Sequence, residues 1–301
     1  MIVSHPRCRF QGSYAAIPTP FQGDEFDARA LEGLIEFLLA RGTDGIVVCG
    51  TTGEGSTLSD AEKRRVIEET VGLVGGRVPV IAGVGTNSTK TTIESARSAC
   101  ALGVDGLLVV TPYYNKPSPR GLVAHYSAVA EATMKPIVLY NVPSRTGVDL
   151  TPEVVAEVGA RFTHIVAVKE ALPSVERVKR LVGETPVGVL CGDDASIADF
   201  MSYGALGVIS VLANVMPAEV AELVRVSVPG RDSARAAALV ERVGPLARAL
   251  FVESNPVPLK AVLAGMLSGF RADVRLPLAP LTASSRAELQ RAAALCGLPC
   301  S

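Results

Sequence analysis

Neither sign of charge is in excess in this chain. Its 29 Lys and Arg stand against 30 Asp and Glu, interspersed rather than blocked. That leaves no electrostatic footprint for nucleic acid or an anionic membrane surface. Histidine is scarce: His5, His125 and His164 lie far apart. The six cysteines (Cys8, Cys49, Cys100, Cys191, Cys296 and Cys300) include no CxxC and no paired metal spacing. Cys49 and Cys191 sit in apolar runs, where a free thiol is ordinarily a small core residue. No h-region lies near the N-terminus, and no apolar run reaches the roughly 18 residues of a membrane span. No GxGxxG or GxxxxGK[ST] follows a strand-like run, which weighs against nucleotide binding. The expectation is a soluble, reduced, cytoplasmic protein whose partners are small molecules and copies of itself.

What is present is a large apolar fraction in a regular order. Of 301 residues, 48% are apolar, enough for one large α/β domain or two average ones. Short apolar runs recur at residues 14–18, 45–49, 78–83, 106–110, 136–140, 165–169, 187–190 and 207–211. Each is bounded by Gly, Pro, Thr or Asn, as buried parallel strands usually are. Helical signals fill the intervals. Leu31, Leu34, Ile35, Leu38 and Leu39 repeat at helix spacing behind Asp27, a suitable N-cap. Ser59 and Glu62 form a capping box, and Thr151-Pro152-Glu153 places a cap, a first-turn proline and an acid in order.

Eight such alternations predict an α/β fold, a (β/α)8 barrel, rather than a doubly wound sheet. After about residue 216 the strand pattern stops. Helices are expected at 217–228, 231–251, 256–268 and 283–297, the last opened by a Ser285/Glu288 capping box. The chain therefore divides into a flexible arm (1–12), the barrel (13–216) and a C-terminal helical region packed on it (217–301).

Active sites of such barrels lie at the carboxyl ends of the strands, which makes a short list. Lys169 is its most informative member, a long cation directly after Ile165-Val166-Ala167-Val168. It either pairs structurally with Glu170 or Asp193, or it is a nucleophile. At a reference pKa of ~10.4 only ~0.04% of a free lysine is neutral at pH 7, and desolvation favours the neutral, reactive amine. Gly50-Thr51-Thr52-Gly53 offers hydroxyls and N–H groups on a turn before a helix, suited to a carboxylate or phosphate, or else it is an ordinary βα turn. Tyr140 is a rim phenol, for a proton relay or for packing. Arg145 could clamp a carboxylate in bidentate fashion or simply be solvated.

At this point the motifs become specific. GTTGE (50–54), TPYYNKPS (111–118), YNVPSRTG (140–147), VKEA (168–171), GDDAS (192–196), GVISV (207–211) and NPVPLK (255–260) resemble the dihydrodipicolinate synthase family of pyruvate-dependent class I aldolases, from about residue 12 to 282. The resemblance implies condensation of pyruvate with L-aspartate 4-semialdehyde in lysine (diaminopimelate) biosynthesis, with no metal or organic cofactor. Lys169 would form the Schiff base. Thr51 and Thr52 would hold the pyruvate carboxylate, and Tyr140, Thr51 and Tyr114 would relay protons, Tyr114 from a neighbouring subunit. Arg145 would bind the semialdehyde carboxylate, while Gly192 and the Ile209 carbonyl would line the pocket. A homotetramer is the family's usual form. Where lysine-sensitive members carry two histidines and a glutamate, this chain has Asp60, Lys63 and Thr91, while Asn87 and Tyr113 match; feedback inhibition by L-lysine should be weak or absent.

Three other readings compete. Sialic-acid and 2-keto-3-deoxy sugar-acid aldolases share the lysine and the strand-five tyrosine, but typically lack the arginine found here as Arg145. A catalytically dead paralogue serving as a binding subunit would have lost the lysine or tyrosine. A phosphate-binding isomerase barrel would want a Gly-rich loop after strands seven and eight, where Gly192-Asp193-Asp194 is too acidic.

Overall fold

The computed structural model describes residues 5–300. Eight parallel strands close into a barrel: β1 (Gly12–Ala16), β2 (Gly45–Val48), β3 (Val80–Gly83), β4 (Gly106–Val110), β5 (Ile137–Asn141), β6 (Ile165–Glu170), β7 (Gly188–Cys191) and β8 (Gly207–Ser210). Each pairs with its sequence neighbour, and β1 joins β8. All but the rim-end residues of β3 and β4 are buried, because side chains pointing either way meet the barrel interior or the helical ring. Strand ends differ from the sequence expectation by one or two residues.

The outer ring comprises α1 (Ala28–Ala40), α2 (Asp60–Val74), α3 (Thr89–Ala101), α4 (Pro119–Glu131), α5 (Pro152–Arg161), α6 (Val175–Glu184), α7 (Ile197–Ser202) and α8 (Pro217–Val226). Asp27 caps α1 through its side chain, and both halves of the Ser59/Glu62 capping box form. Leu31, Leu34, Ile35 and Leu38 face the strands as the spacing requires. Three helices follow: α9 (Ser233–Ala249), α10 (Val257–Met266) and α11 (Ala283–Leu295).

Three expectations need correction. The first concerns the arm. Its residues 1–4 lie outside the described residues, but Cys8 and Phe10 are fully buried, so the segment is not free up to residue 12. Phe10 packs edge-on against Tyr14 at 6.1 Å inside the barrel's amino-terminal end. Gly106 makes this possible, since a Cβ there would stand 2.6 Å from the ring. Burying a side chain of this size contributes roughly 1.5–3 kcal/mol, which holds the segment down. Second, α8 packs on β1 and completes the ring, so the barrel extends past residue 216 to Val226. Third, α11 is capped by Thr282, whose hydroxyl accepts from the Ser285 amide, and not by a Ser285/Glu288 box.

Candidate active site

Lys169 and Tyr140 are register partners on β6 and β5, as are Glu170 and Asn141 one step later. Alternation along a strand sends the two pairs to opposite faces. Tyr140 and Lys169 turn inward, and the lysine Nζ lies 4.3 Å from the tyrosine ring centroid. Glu170 turns outward and is completely buried. Asn141 Nδ2 donates to both its carboxylate oxygens at 3.0 Å, Arg177 Nε donates at 2.6 Å, and the Leu172 amide at 2.8 Å. Burial pushes the Glu170 carboxyl above the ordinary carboxylate range, while Arg177 opposes the shift. Asp193 accepts from Ser196 Oγ at 2.6 Å. Both acids that could have paired with Lys169 thus have other partners, and the lysine forms no ion pair among the described residues. It remains 93% buried.

Gly192, just past β7, gives this lysine its space. A Cβ there would stand 3.0 Å from both Lys169 Cε and the Glu170 carbonyl. The Gly192 amide donates to that same carbonyl at 2.8 Å, which fixes the close approach. Ile209 on β8 is buried in the same interior cluster as Tyr140.

A cavity of about 390 Å³ opens at this rim. Thr51, Tyr113, Tyr140, Arg145 and Asn255 line it. Lys169 does not reach its wall but sits against the Tyr140 ring; Thr52, Gly192 and Ile209 also lie off the wall. Thr111 secures Tyr140, donating to its carbonyl through both N and Oγ1 at 3.0 and 2.9 Å. Arg145 occupies the last turn of a short helix, Pro143–Thr146, that leaves β5 through Val142. It is exposed at the cavity mouth and has no acidic partner among the described residues. A free guanidinium of this kind suits a carboxylate ligand.

The Thr51-Thr52 loop departs from the expected arrangement, because α2 begins only at Asp60 and its N-terminus is not at these amides. The amides of Thr51 and Thr52 nevertheless have no acceptor among the described residues. Thr52 Oγ1 accepts from Asn255 Nδ2 at 2.9 Å, which leaves its own proton available to an anion. Tyr114 is not brought to this cavity. The residue is 89% exposed and has a left-handed backbone (φ 73°).

Sequence reasoning assigned no role to Glu54, Asn255 or Lys260, although all three stand in motifs it singled out. Glu54 and Lys260 form a fully buried ion pair at 2.5 Å. The signal available was a lysine inside the apolar run Val257-Pro258-Leu259-Lys260-Ala261-Val262. A charge there requires a buried partner.

A lone inward amine, kept from carboxylates and set against Tyr140 beneath a rim that carries a guanidinium with no acidic partner among the described residues, suits carbonyl chemistry on acidic substrates. The class so defined is the aldol-type lyases built on (β/α)8 barrels. Residues 9–295 match the profile of the Dihydrodipicolinate synthetase family. The chain is 50% identical over 284 residues to 4-hydroxy-tetrahydrodipicolinate synthase of Geotalea daltonii, covering 93% of this chain and 96% of that protein. Dihydrodipicolinate synthase from Aquifex aeolicus superposes with a TM-score of 0.94 at 41% identity, covering 97% of this chain and 100% of the other. The chloride-inhibited dihydrodipicolinate synthase of Acinetobacter baumannii, complexed with pyruvate, gives a TM-score of 0.92 at 42% identity, covering 96% and 99%. The chain belongs to the dihydrodipicolinate synthetase family.

Proposed function

We propose that the chain condenses pyruvate with L-aspartate 4-semialdehyde, the reaction of a 4-hydroxy-tetrahydrodipicolinate synthase in lysine biosynthesis, through an imine on Lys169. The observation carrying this reading is Lys169 itself, buried beside Tyr140 and free of any ion pair among the described residues. Its neutral amine attacks the ketone carbon of pyruvate, and loss of water leaves the imine. The imine acidifies the pyruvate methyl group, and removal of that proton gives an enamine. The enamine carbon bonds to the aldehyde carbon of the second substrate, whose oxygen takes up a proton. The α-amino group of the semialdehyde then displaces Lys169 and closes the ring. The lysine is the electron sink, so no metal or organic cofactor enters the scheme.

The unpaired amides of Thr51 and Thr52 support a role in receiving the pyruvate carboxylate. Tyr140 and Thr51 both line the cavity and would pass protons between substrate and solvent. Gly192 and the Ile209 carbonyl would border the lysine, and Arg145 would bind the semialdehyde carboxylate. Tyr114 is the third relay member and comes from a neighbouring subunit, which its exposure supports. The working unit is therefore at least a dimer, with a tetramer as the default. Among the described residues no helix is long and apolar enough to cross a membrane; we place the enzyme in the cytoplasm.

Borohydride reduction in the presence of pyruvate, followed by intact-mass measurement, tests the reading. One adduct is expected on the parent chain and none on Lys169→Ala. An adduct persisting on another lysine would refute the assignment.

A further inference from the structure

The Thr51-Thr52 loop is held in place by a charge pair buried behind it. Glu54 adopts a left-handed backbone (φ 51°), a conformation unfavourable for a side chain with a Cβ and maintained only where the surroundings over-determine it. Its amide donates to the Thr51 carbonyl at 3.1 Å, which closes the turn carrying both threonines. Its carboxylate is gripped from two sides. Lys260 Nζ lies 2.5 Å from Oε1, and the Arg275 amide 3.0 Å from Oε2. Lys260 also donates to the Asp273 carbonyl at 2.8 Å, and its ammonium lies 4.2 Å from the Phe21 ring centroid.

A buried ion pair of this kind is weak evidence for stability, because apolar residues of similar volume often serve as well. What the pair does supply is direction: it fixes the one acidic residue of the turn against a segment more than two hundred positions away. The same segment reaches the turn a second time, through Asn255 Nδ2 on Thr52 Oγ1. Both anchors bear on the loop whose amides have no acceptor among the described residues; Glu54 and Asn255 lie on the cavity wall with Thr51, while Lys260 does not line it.

We propose that Glu54 and Lys260 are positioning residues that set the affinity for the 2-oxo acid, by locking the Thr51-Thr52 turn in the shape that receives its carboxylate. The inference rests on the Schiff-base reading above. It makes the helical region after the barrel a part of the substrate site, although none of its charged side chains need touch the substrate.

The pair is also pH-dependent. Burial drives the Lys260 ammonium down to about 8, with Glu54 and Asp273 pulling the other way and Arg275 adding to the fall. Around it, Glu62 and Asp24 face Arg275. Because the folded value is depressed, the ammonium is retained below it and lost as pH rises through it. Above that point Glu54 loses its counter-ion and the turn its lock.

The test uses the full-length protein and the borohydride-trapped pyruvate adduct. The double variant Glu54→Gln/Lys260→Met removes both charges together, so that no lone buried charge remains. Half-saturating pyruvate should rise about tenfold, equivalent to a loss of about 1.4 kcal/mol of binding. The trapping rate at saturating pyruvate should stay within about twofold. In the parent, half-saturation should be flat below about pH 8 and climb above it; in the variant this climb should vanish. A folded variant with the parent's half-saturation would overturn the proposal. Should the variant fail to fold, the parent's own profile decides, and one that is flat through the alkaline range overturns it equally. A parent that gives no adduct at all would instead bring down the Schiff-base reading, and this inference with it.

Discussion

Gly192 and Lys169 are fitted to each other: a methyl group at position 192 would stand 3.0 Å from the lysine Cε. The lysine tail could shift, but the Glu170 carbonyl at 3.0 Å and the Ala171 Cβ at 3.1 Å crowd the same spot. Gly192→Ala should therefore move the amine off its line of attack. A misplacement of about 1 Å can cost on the order of a hundredfold in rate, so the pyruvate adduct should form at least about tenfold more slowly. The melting temperature should fall by only a few degrees. An unchanged trapping rate would mean that the close approach has no bearing on the chemistry.

The arginine at the mouth should separate the two substrates. Arg145 lines the cavity with Thr51 and Tyr140, is exposed, and lacks an acidic partner among the described residues. A charge-assisted bond to a carboxylate is worth roughly 1.5–3 kcal/mol. Arg145→Ala should lower kcat/KM for aspartate semialdehyde by at least about tenfold, while the pyruvate adduct still forms at its normal rate. Equal loss in both steps would make Arg145 a structural residue, and would reopen the choice between this aldehyde and a sugar acid.

How far the sequence carried the reading depends on the distance over which its signals act. The eight strands were legible because each is a buried run between turn residues, and the caps at Asp27 and Ser59 were legible because partner and cap lie three residues apart. Lys169 stood out as a charge at the end of such a run. The misses have a common cause. Phe10 is held by Tyr14 and by the gap at Gly106, and neither contact leaves a local pattern around residue 10. Glu54 and Lys260 pair across 206 positions, and Asn255 and Thr52 across 203, so each half looked like an isolated polar residue. The Ser285/Glu288 spacing had the form of a capping box, but Thr282 precedes it and is itself fixed by Glu253, which accepts from its amide at 3.0 Å.

Tyr114 offers a direct test of assembly. It is exposed and does not line its own chain's cavity, so a relay that uses it draws on two chains. Lys169→Ala and Tyr114→Phe should each be nearly inactive alone. Mixed after reversible dissociation, the mixture should regain activity, because the Tyr114→Phe chain keeps its lysine and borrows the partner's Tyr114. Random pairing in equal amounts makes about half the dimers mixed, each with one complete site, hence about a quarter of the parent's active sites. No recovery, in mixtures shown by mass to contain hybrids, would remove Tyr114 from the relay. A fully active monomer by sedimentation would do the same.

The last prediction concerns control by the end product of the pathway. Beside the substrate cavity lies a smaller one of about 100 Å³, lined by Asp60, Lys63, Thr91, Glu94 and Ser95 among others. These include the positions where lysine-sensitive relatives are expected to carry two histidines and a glutamate. The chemistry here is unfavourable to a cationic effector. Lys63 is only 21% exposed and puts an ammonium on the wall. Two like charges about 4 Å apart repel by about 1 kcal/mol in water, and by several times that where water is scarce. The one acid close to Lys63, Asp60, is 3.9 Å from it and already serves it. Thr91 stands where a carboxylate would accept the effector's ammonium, and its hydroxyl instead donates to Ser88 Oγ at 3.1 Å. Glu94 is the remaining acid on that wall, and Lys90 lies 4.0 Å from it. L-Lysine added at fixed, subsaturating pyruvate should therefore leave the initial velocity nearly unchanged through the submillimolar range. Half-inhibition within that range would mean that Lys63 swings out of the cavity when the effector enters. Lys63→His should then tighten inhibition further; if the cavity binds no lysine, that substitution should change nothing.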